Sequence, residues 1–521
     1  MPTTMLFVVD ATVLILSVIW LRLWRRSRRR NPHGCPLPPG PKGIPIIGNV
    51  FDMPKSDEAL AILNWGKKYG DMIYVEIMGK PMLFLNSYND AVELLEKRSL
   101  WYSDRPTWPM SGELLDWEWS PVITHYDERF KTYRQFMHRH FKADVCHDYW
   151  VTQTEAARIF AQQMLEKPNE CERHARRYAA AATIMMAAYG HEVAPEGDYF
   201  VALADRAVEA WSRAAAPGAY LVDTLPWLKH IPSWFPGAKF KRDAKIWSQY
   251  SKEMRTVPYE KTMKKIVDGT AHPSMMSGLI EFCTQPDGTI RDEDIISACT
   301  CVCYGAGADT TVALMMSFIL ALLMYPDVQT RGQEELDCVV GNGRLPTFDD
   351  RGNLPYIEGI VKEALRWNPV LPLTIPHRLM KDDFYNGYFI PEGTQVIANH
   401  WAMLHDEVEY PDPSRFWPER WMPGGCSENS RHPSKVAFGF GRRICPGQYF
   451  ATNSLFIGIA TVLATVNITA ALDENGIPVP PPKRIVNTPG IISHPQHFDI
   501  SVAPRSPASK AVLNDSIRNT V

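Results

Sequence analysis

Ten cysteines are scattered along the chain, and none of them pairs at the CxxC spacing of a zinc or dithiol redox site, so neither chemistry is signalled. An excess of one charge is also missing. Lys plus Arg number 55 against 58 Asp plus Glu, a formal net charge of −3, which gives no electrostatic ground for a nucleic-acid partner. No internal repeat is present, which excludes solenoids and propellers. No Gly-Lys-Ser/Thr follows a glycine-rich loop, so a nucleotide phosphate site is not encoded. What is plentiful is apolar matter. Hydrophobic residues make up 45% and charged residues 22%, so most of the chain can bury a large core. Forty-two prolines and 32 glycines mark many turns, and length alone suggests two to four domains. The cysteines read as reduced thiols facing the cytosol. Of the one cluster, Cys299, Cys301 and Cys303, only the first and last share a helical face, among small apolar neighbours that favour ordinary burial.

Residues 5–24 form an apolar run with only Asp10 and Arg22 charged, long enough to cross a bilayer of ~30 Å as one helix. Arg25, Arg26, Arg28, Arg29 and Arg30 follow it and should stay cytosolic. A cleaved signal peptide would carry its basic residues before the apolar run. The expected organisation is therefore a transmembrane anchor over 5–24, a basic and proline-rich linker over 25–48, a globular part over 49–504 and a loose polar tail over 505–521. Within the globular part a short helix is expected over 60–69, and strands over 72–78 and 82–85 about a Gly79-Lys80 turn. Helical periodicity dominates 128–345. Its longest segment, 292–325, stops at Pro326 and carries Asp309 and two threonines, which favours a core helix over a second membrane span. Short strands follow residue 370, and an apolar helix follows Pro446.

The sharpest chemical signal is the run Phe438, Gly439, Phe440, Gly441, Arg442, Arg443, Ile444, Cys445, Pro446, Gly447. It sets a cysteine at the mouth of an apolar helix, where the dipole and free backbone N–H groups favour a thiolate. The glycines allow a tight turn before it. Phe438, Gly441, Arg443, Cys445 and Gly447 together resemble the haem-binding loop of the cytochrome P450 family. By that resemblance Cys445 is the axial iron ligand, and Arg443 pairs with a haem propionate.

Three other motifs follow the family's order. Ala306 to Thr311 is similar to its oxygen-activating signature. There the Thr310 hydroxyl would hold a water or dioxygen, and Asp309 would help relay protons. A threonine bonding back to its own helix is the alternative for Thr310. Glu363 and Arg366 stand three apart on one helix, and Arg420 in Phe416-Trp-Pro-Glu-Arg resembles their partner. They imply a structural network under the haem face. Arg134 fits a propionate contact, but Phe130 stands where the family commonly has a tryptophan and has no N–H to donate. His377 and Arg378 are further propionate candidates, with a surface role open for each.

The resemblance runs from about residue 38 to 500. It implies a mainly α fold with a small β-rich part, haem b as cofactor, and a lipophilic small molecule and O2 as substrates. Similarity to microsomal members implies an endoplasmic reticulum membrane location with a cytosolic catalytic part. It also implies electrons from NADPH through a separate reductase, since no flavin or nicotinamide motif is present. Basic groups around Arg134, His138, Arg139 and His140, and around Lys435, Arg442 and Arg443, would offer that reductase a docking face. The motifs look most like fungal secondary metabolism, including the group around O-methylsterigmatocystin oxidoreductase, and point to a terpenoid, polyketide or aromatic scaffold. Segments 101–124, 214–234, 371–375 and 491–492 are expected to wall the pocket. Trp227, Trp234 and Phe235 have contact with the membrane surface as an alternative place. A haem-thiolate isomerase or dehydratase that does not use O2, and a non-catalytic haem or lipid binder, remain as rivals.

Overall fold

The structure is a computed structural model that describes residues 31–178, 184–194, 196–216 and 218–518. The 5–24 anchor and residues 25–30 of the linker lie outside the described residues. Helices of nine residues or more are, in order, α1 (Glu58–Tyr69), α2 (Glu128–Phe141), α3 (Trp150–Glu166), α4 (Tyr199–Ala215), α5 (Lys239–Val267), α6 (Met275–Cys283), α7 (Glu293–Met324), α8 (Pro326–Val339), α9 (Pro355–Trp367), α10 (Gln448–Thr465) and α11 (Pro507–Arg518). The strands are β1 (Met72–Ile77), β2 (Lys80–Leu85), β3 (His377–Arg378), β4 (Asp383–Tyr385), β5 (Tyr388–Ile390), β6 (Gln395–Ala398), β7 (Val466–Ala470) and β8 (Ile500–Pro504).

Helix α7 is the axis. Glu293 and Asp294 in its first turn complement the helix dipole. Pro326, the first residue of α8, cannot extend it. Among the described residues it is the one helix long and apolar enough to span a membrane, yet 78% of its most apolar window is buried inside the protein, as expected of a core helix. Its amino-terminal half packs in a cluster with Met110, Trp117, Trp211 and Ile492. Its carboxyl-terminal half packs in a second cluster with α3, α9 and α10. Between the two the helix surface opens: Ala306 is exposed, and Gly307, Asp309 and Thr310 are half-buried.

The main sheet has the order β1-β2-β6-β3. Met78 and Gly79 both take positive φ, 48° and 80°, which gives the β1–β2 hairpin the turn that matches strand twist. β6 joins parallel to β2, with Phe84 opposite Ile397. β3 pairs antiparallel to β6, with His377 opposite Val396. The sheet thus delivers His377 to the edge of the opening beside α7.

The expected loose tail is corrected by α11. At the start of this helix the Ser509 N–H donates to the Ser506 hydroxyl and the Ser509 hydroxyl accepts from the Ser506 N–H, and Leu513 is fully buried against Ala161 and Leu345.

Candidate active site

The Cys445 loop is shaped by its glycines. Gly441 has φ 57°, and a Cβ there would lie 2.1 Å from the Leu95 carbonyl oxygen, so no side chain fits. The turn is closed by the Cys445 N–H, which donates to the Phe438 carbonyl at 2.8 Å. Phe438 therefore contributes its backbone to the loop. Cys445 is half-buried.

One electrostatic expectation is overturned here. Burial pushes the Cys445 thiol up, and the Gly447 N–H and the Arg134 charge only partly offset it. Desolvation outweighs these two favourable contributions, so the net shift is upward. A coordinated metal ion reverses that balance by deprotonating the thiol outright.

The opening carries an excess of buried positive charge. Arg134 donates to the Ile444 carbonyl at 2.8 Å. Arg443 spends three N–H groups on the carbonyls of Ser103, Pro121 and Thr124 at 2.7, 3.0 and 2.6 Å. Arg105, fully enclosed, donates to Val122, Ile375 and Pro376. These contacts place the guanidiniums without neutralising them. Burial, together with Arg443, pulls Arg105 well below the usual arginine range. Burial brings Arg443 down to about 9 despite Asp104 and Asp127. Arginine does not release its proton in practice, so these buried guanidiniums keep their charge while their hydrogen bonds go to backbone carbonyls.

His377 joins the same cluster. Its Nδ1 lies 2.7 Å from the Tyr102 carbonyl, and burial followed by the Arg105 charge pushes it well below the usual histidine range. Arg378 does not belong to the cluster. Its Nε donates to Asp104 at 2.7 Å and its side chain is 40% exposed, so its charge is already matched. Phe130 also finds a use: the Arg443 guanidinium lies 3.6 Å over its ring, a cation–π contact that a donor N–H is not needed for.

The residues present thus fit haem b. A cysteine is held on a tight glycine loop, and the buried guanidiniums of Arg105, Arg134 and Arg443 donate to backbone carbonyls, so they could pair with two carboxylates. Arg105 was missed in the sequence because it stands alone inside an apolar wall segment, with no motif around it. Replacing Arg105 with leucine is expected to speed haem transfer to an acceptor globin by on the order of tenfold, the value of one buried charged hydrogen bond.

On α7, Thr310 donates its hydroxyl proton to the Ala306 carbonyl at 2.7 Å, the back-bonded alternative. Its oxygen lone pairs remain to accept from a water in the opening. Asp309 is paired: its Oδ1 lies 3.1 Å from Arg176 Nη1 and 3.1 Å from His494 Nε2. Burial pushes its carboxyl up, but the His494 hydrogen bond and charge, then Arg176, outweigh it, so the net shift is downward. Neither Arg176 nor His494 had a signal in sequence.

Glu363, Arg366 and Arg420 come together as expected. Arg366 Nε reaches Glu363 Oε2 at 2.5 Å and Arg420 Nε reaches Oε1 at 2.8 Å, all three side chains fully buried. Of the expected pocket walls, Met110, Leu115, Trp117, Trp119, Ala214 and Ile492 share one core cluster with α7. Trp227 and Trp234 instead stand 61% and 77% exposed. Arg443 is turned inward on its carbonyls, so it does not contribute to a basic outer face.

Comparison with known proteins agrees. The family model for cytochrome P450 matches residues 38–498. Cytochrome P450 monooxygenase 208 of Postia placenta is 39% identical over 511 residues, 98% of this chain and 97% of that one. Tryptamine 4-monooxygenase of Psilocybe cyanescens is 39% identical over 503 residues, 95% of this chain and 98% of that one. A zebra fish cytochrome P450 solved with progesterone superposes with a TM-score of 0.70 at 21% identity, covering 86% of this chain and 99% of that one. The chain belongs to the cytochrome P450 family. It is a haem monooxygenase with the mainly helical fold of that family.

Proposed function

We propose that Cys445 is the axial ligand, that Arg105, Arg134, Arg443 and His377 hold the haem propionates, and that the substrate is a lipophilic terpenoid, polyketide or aromatic scaffold of fungal secondary metabolism. The observation that carries this is the tight glycine loop that sets Cys445 beside Arg134, with Arg443 and Arg105 buried nearby on backbone carbonyls. An aromatic scaffold is supported by the relative named tryptamine 4-monooxygenase and by the tryptophan-rich wall of Trp117, Trp119 and Trp211.

Bound there, haem supplies the activation of dioxygen that no protein side chain can perform. The chain does the rest. The aromatic wall desolvates and orients the substrate, Thr310 holds a water through its acceptor lone pairs, and Asp309 keeps a proton path beside it. Electrons come one at a time from NADPH through a separate membrane-bound reductase. Segment 5–24 anchors the chain in the endoplasmic reticulum membrane with the catalytic part cytosolic. Contact with that membrane is supported by Trp227, Trp234, Leu221, Ile46 and Phe51, all exposed. The Lys80 ammonium ties these regions together by donating to the Asp223 carbonyl.

The test is turnover under labelled dioxygen with reductase and NADPH, offered indole, terpenoid and polyketide candidates. One labelled oxygen atom per product is expected. Product carrying solvent oxygen, or rearrangement without NADPH, would defeat the proposal. In the same assay Thr310→Ala is expected to cut product formed per NADPH oxidised roughly tenfold, about one hydrogen bond's worth of 1.4 kcal/mol, with peroxide released instead.

A further inference from the structure

The acid on α7 does not stand as a free proton donor. Its Oδ1 is shared by two partners, the Arg176 guanidinium and the His494 imidazole, each at 3.1 Å. Arg176 is itself divided among Asp309, Glu172 at 2.9 Å and Asp205 at 3.5 Å. Among the described residues, the charged groups in direct contact are Asp309 from α7, Asp205 from α4, Glu172 and Arg176 from the short helix Cys171–Arg176, and His494 from the loop before β8, while Glu170, Arg173, His497 and Asp499 line a cavity beside Glu172 and Arg176. Three carboxylates thus meet one permanent cation, which leaves room for a second positive charge. Burial lowers Arg176, yet Asp205, Asp309 and Glu172 leave it raised overall. With Asp309 lowered, neither member of that pair exchanges a proton near neutral pH. Imidazole is the side-chain type that does.

We propose that His494 is the positioning and proton-loading residue behind Asp309: the imidazole holds the proton, and Asp309 receives it only in transit. In each transfer the Nε2–H bond of the imidazolium breaks and an O–H bond forms on Asp309 Oδ1. The neutral acid then gives its proton to a water held at Thr310 and returns to a carboxylate. His494 is recharged by a proton from solvent, and no electrons move.

The loop that carries His494 adds a second consequence. It is closed by the Thr488 N–H, which donates to the His494 carbonyl at 2.8 Å. It also presents Ile492 to the core cluster that walls the pocket, with Ile491 packed against it. One loop thus carries both Ile492 of the core cluster and the imidazole that meets Asp309. The cavity of about 390 Å³ beside Arg176 is lined by Glu172, Arg176, His497 and Asp499.

This inference rests on the monooxygenase reading, because only a reaction that consumes protons needs the path. Two measurements separate the two. The first follows the Cε1 signals of carbon-13-labelled histidine in the reduced, carbon monoxide-bound holoprotein, with the His494 signal identified by its loss in His494→Gln. It should titrate between pH 5 and 9, and Asp309→Asn should lower its midpoint by about one pH unit. The second is product formed per NADPH as a function of pH. In the native chain it should fall as pH rises through the imidazole titration. In His494→Gln, whose amide can still donate to Asp309 but cannot titrate, it should be roughly tenfold lower and flat. An imidazole that does not titrate, or that ignores Asp309→Asn, overturns the proposal even in a chain for which no substrate is found. So does a wild-type pH profile in His494→Gln.

Discussion

Replacing Cys445 with serine is expected to remove monooxygenase turnover by at least ~100-fold, or ~2.7 kcal/mol of barrier, while leaving the fold in place. The structure separates these two effects. The residue is half-buried. The contact that closes the loop uses the Cys445 backbone N–H to the Phe438 carbonyl at 2.8 Å, and serine keeps it. Serine has nearly the same volume, so no cavity opens. What is lost is a sulfur that a metal ion can hold as an anion. A hydroxyl gives up its proton far less readily, and its neighbour Arg134, already satisfied in part by Ile444, supplies too little field to change that. The reduced, carbon monoxide-bound protein should lose the strongly red-shifted Soret band that thiolate ligation produces. Thermal unfolding of the apoprotein should be within ~1 kcal/mol of the native chain. A serine variant that keeps the red-shifted band would remove Cys445 from the role assigned to it, and one that does not fold would show that the thiol packs rather than ligates.

How much of this was legible in the sequence depends on how local each feature is. The cysteine loop is contiguous because a backbone turn, a helix mouth and one side chain must all be built from neighbours; its glycines and Cys445 therefore stand next to each other in the chain. Asp309 and Thr310 are equally local, on one helix. What was not legible is what tertiary packing adds to them. Arg105 comes to the cluster from a wall segment, and His494 reaches Asp309 from a loop far along the chain. The electrostatics of Cys445 were misjudged for a related reason. A helix mouth can be seen in the sequence, but the burial that overrides it cannot. Helix α11 was missed because its apolar face is short, Leu513 buried with only Val512 and Ile517 partly buried beside it, too few positions for a readable periodicity. Arg378 was drawn toward the haem by its neighbour His377, but adjacent residues on a strand face opposite ways, and the outward one found Asp104.

Replacing Glu363 with glutamine is expected to cost ~3–5 kcal/mol, a large share of the ~5–15 kcal/mol that holds a typical domain folded. Its two carboxylate oxygens accept from Arg366 Nε and Nη2, from Arg420 Nε and from the Trp417 N–H. Both guanidiniums are fully buried. They are held further by the carbonyls of Leu404 and Pro413 and of Pro411 and Asp412. With Glu363 ionised, the trio carries one net positive charge, which those carbonyl dipoles can accommodate. With glutamine it carries two, in a space that water does not reach, and one amide nitrogen would point a donor at a donor. The strain falls on the 411–420 segment and on α9, against which the Ser434–Ala437 turn leading into the cysteine loop is packed. Loss of haem should therefore accompany loss of stability, seen as a lower urea midpoint and a lower haem content at the same expression level. Glu209 and Arg213 provide the contrast. They form an ion pair at 2.5 Å on the same helical spacing logic, but with side chains 61% and 65% exposed. Glu209→Gln should change stability by less than ~0.5 kcal/mol. If the buried and exposed substitutions cost the same, the network under the haem face is ornament, and the fold is held by its apolar clusters alone.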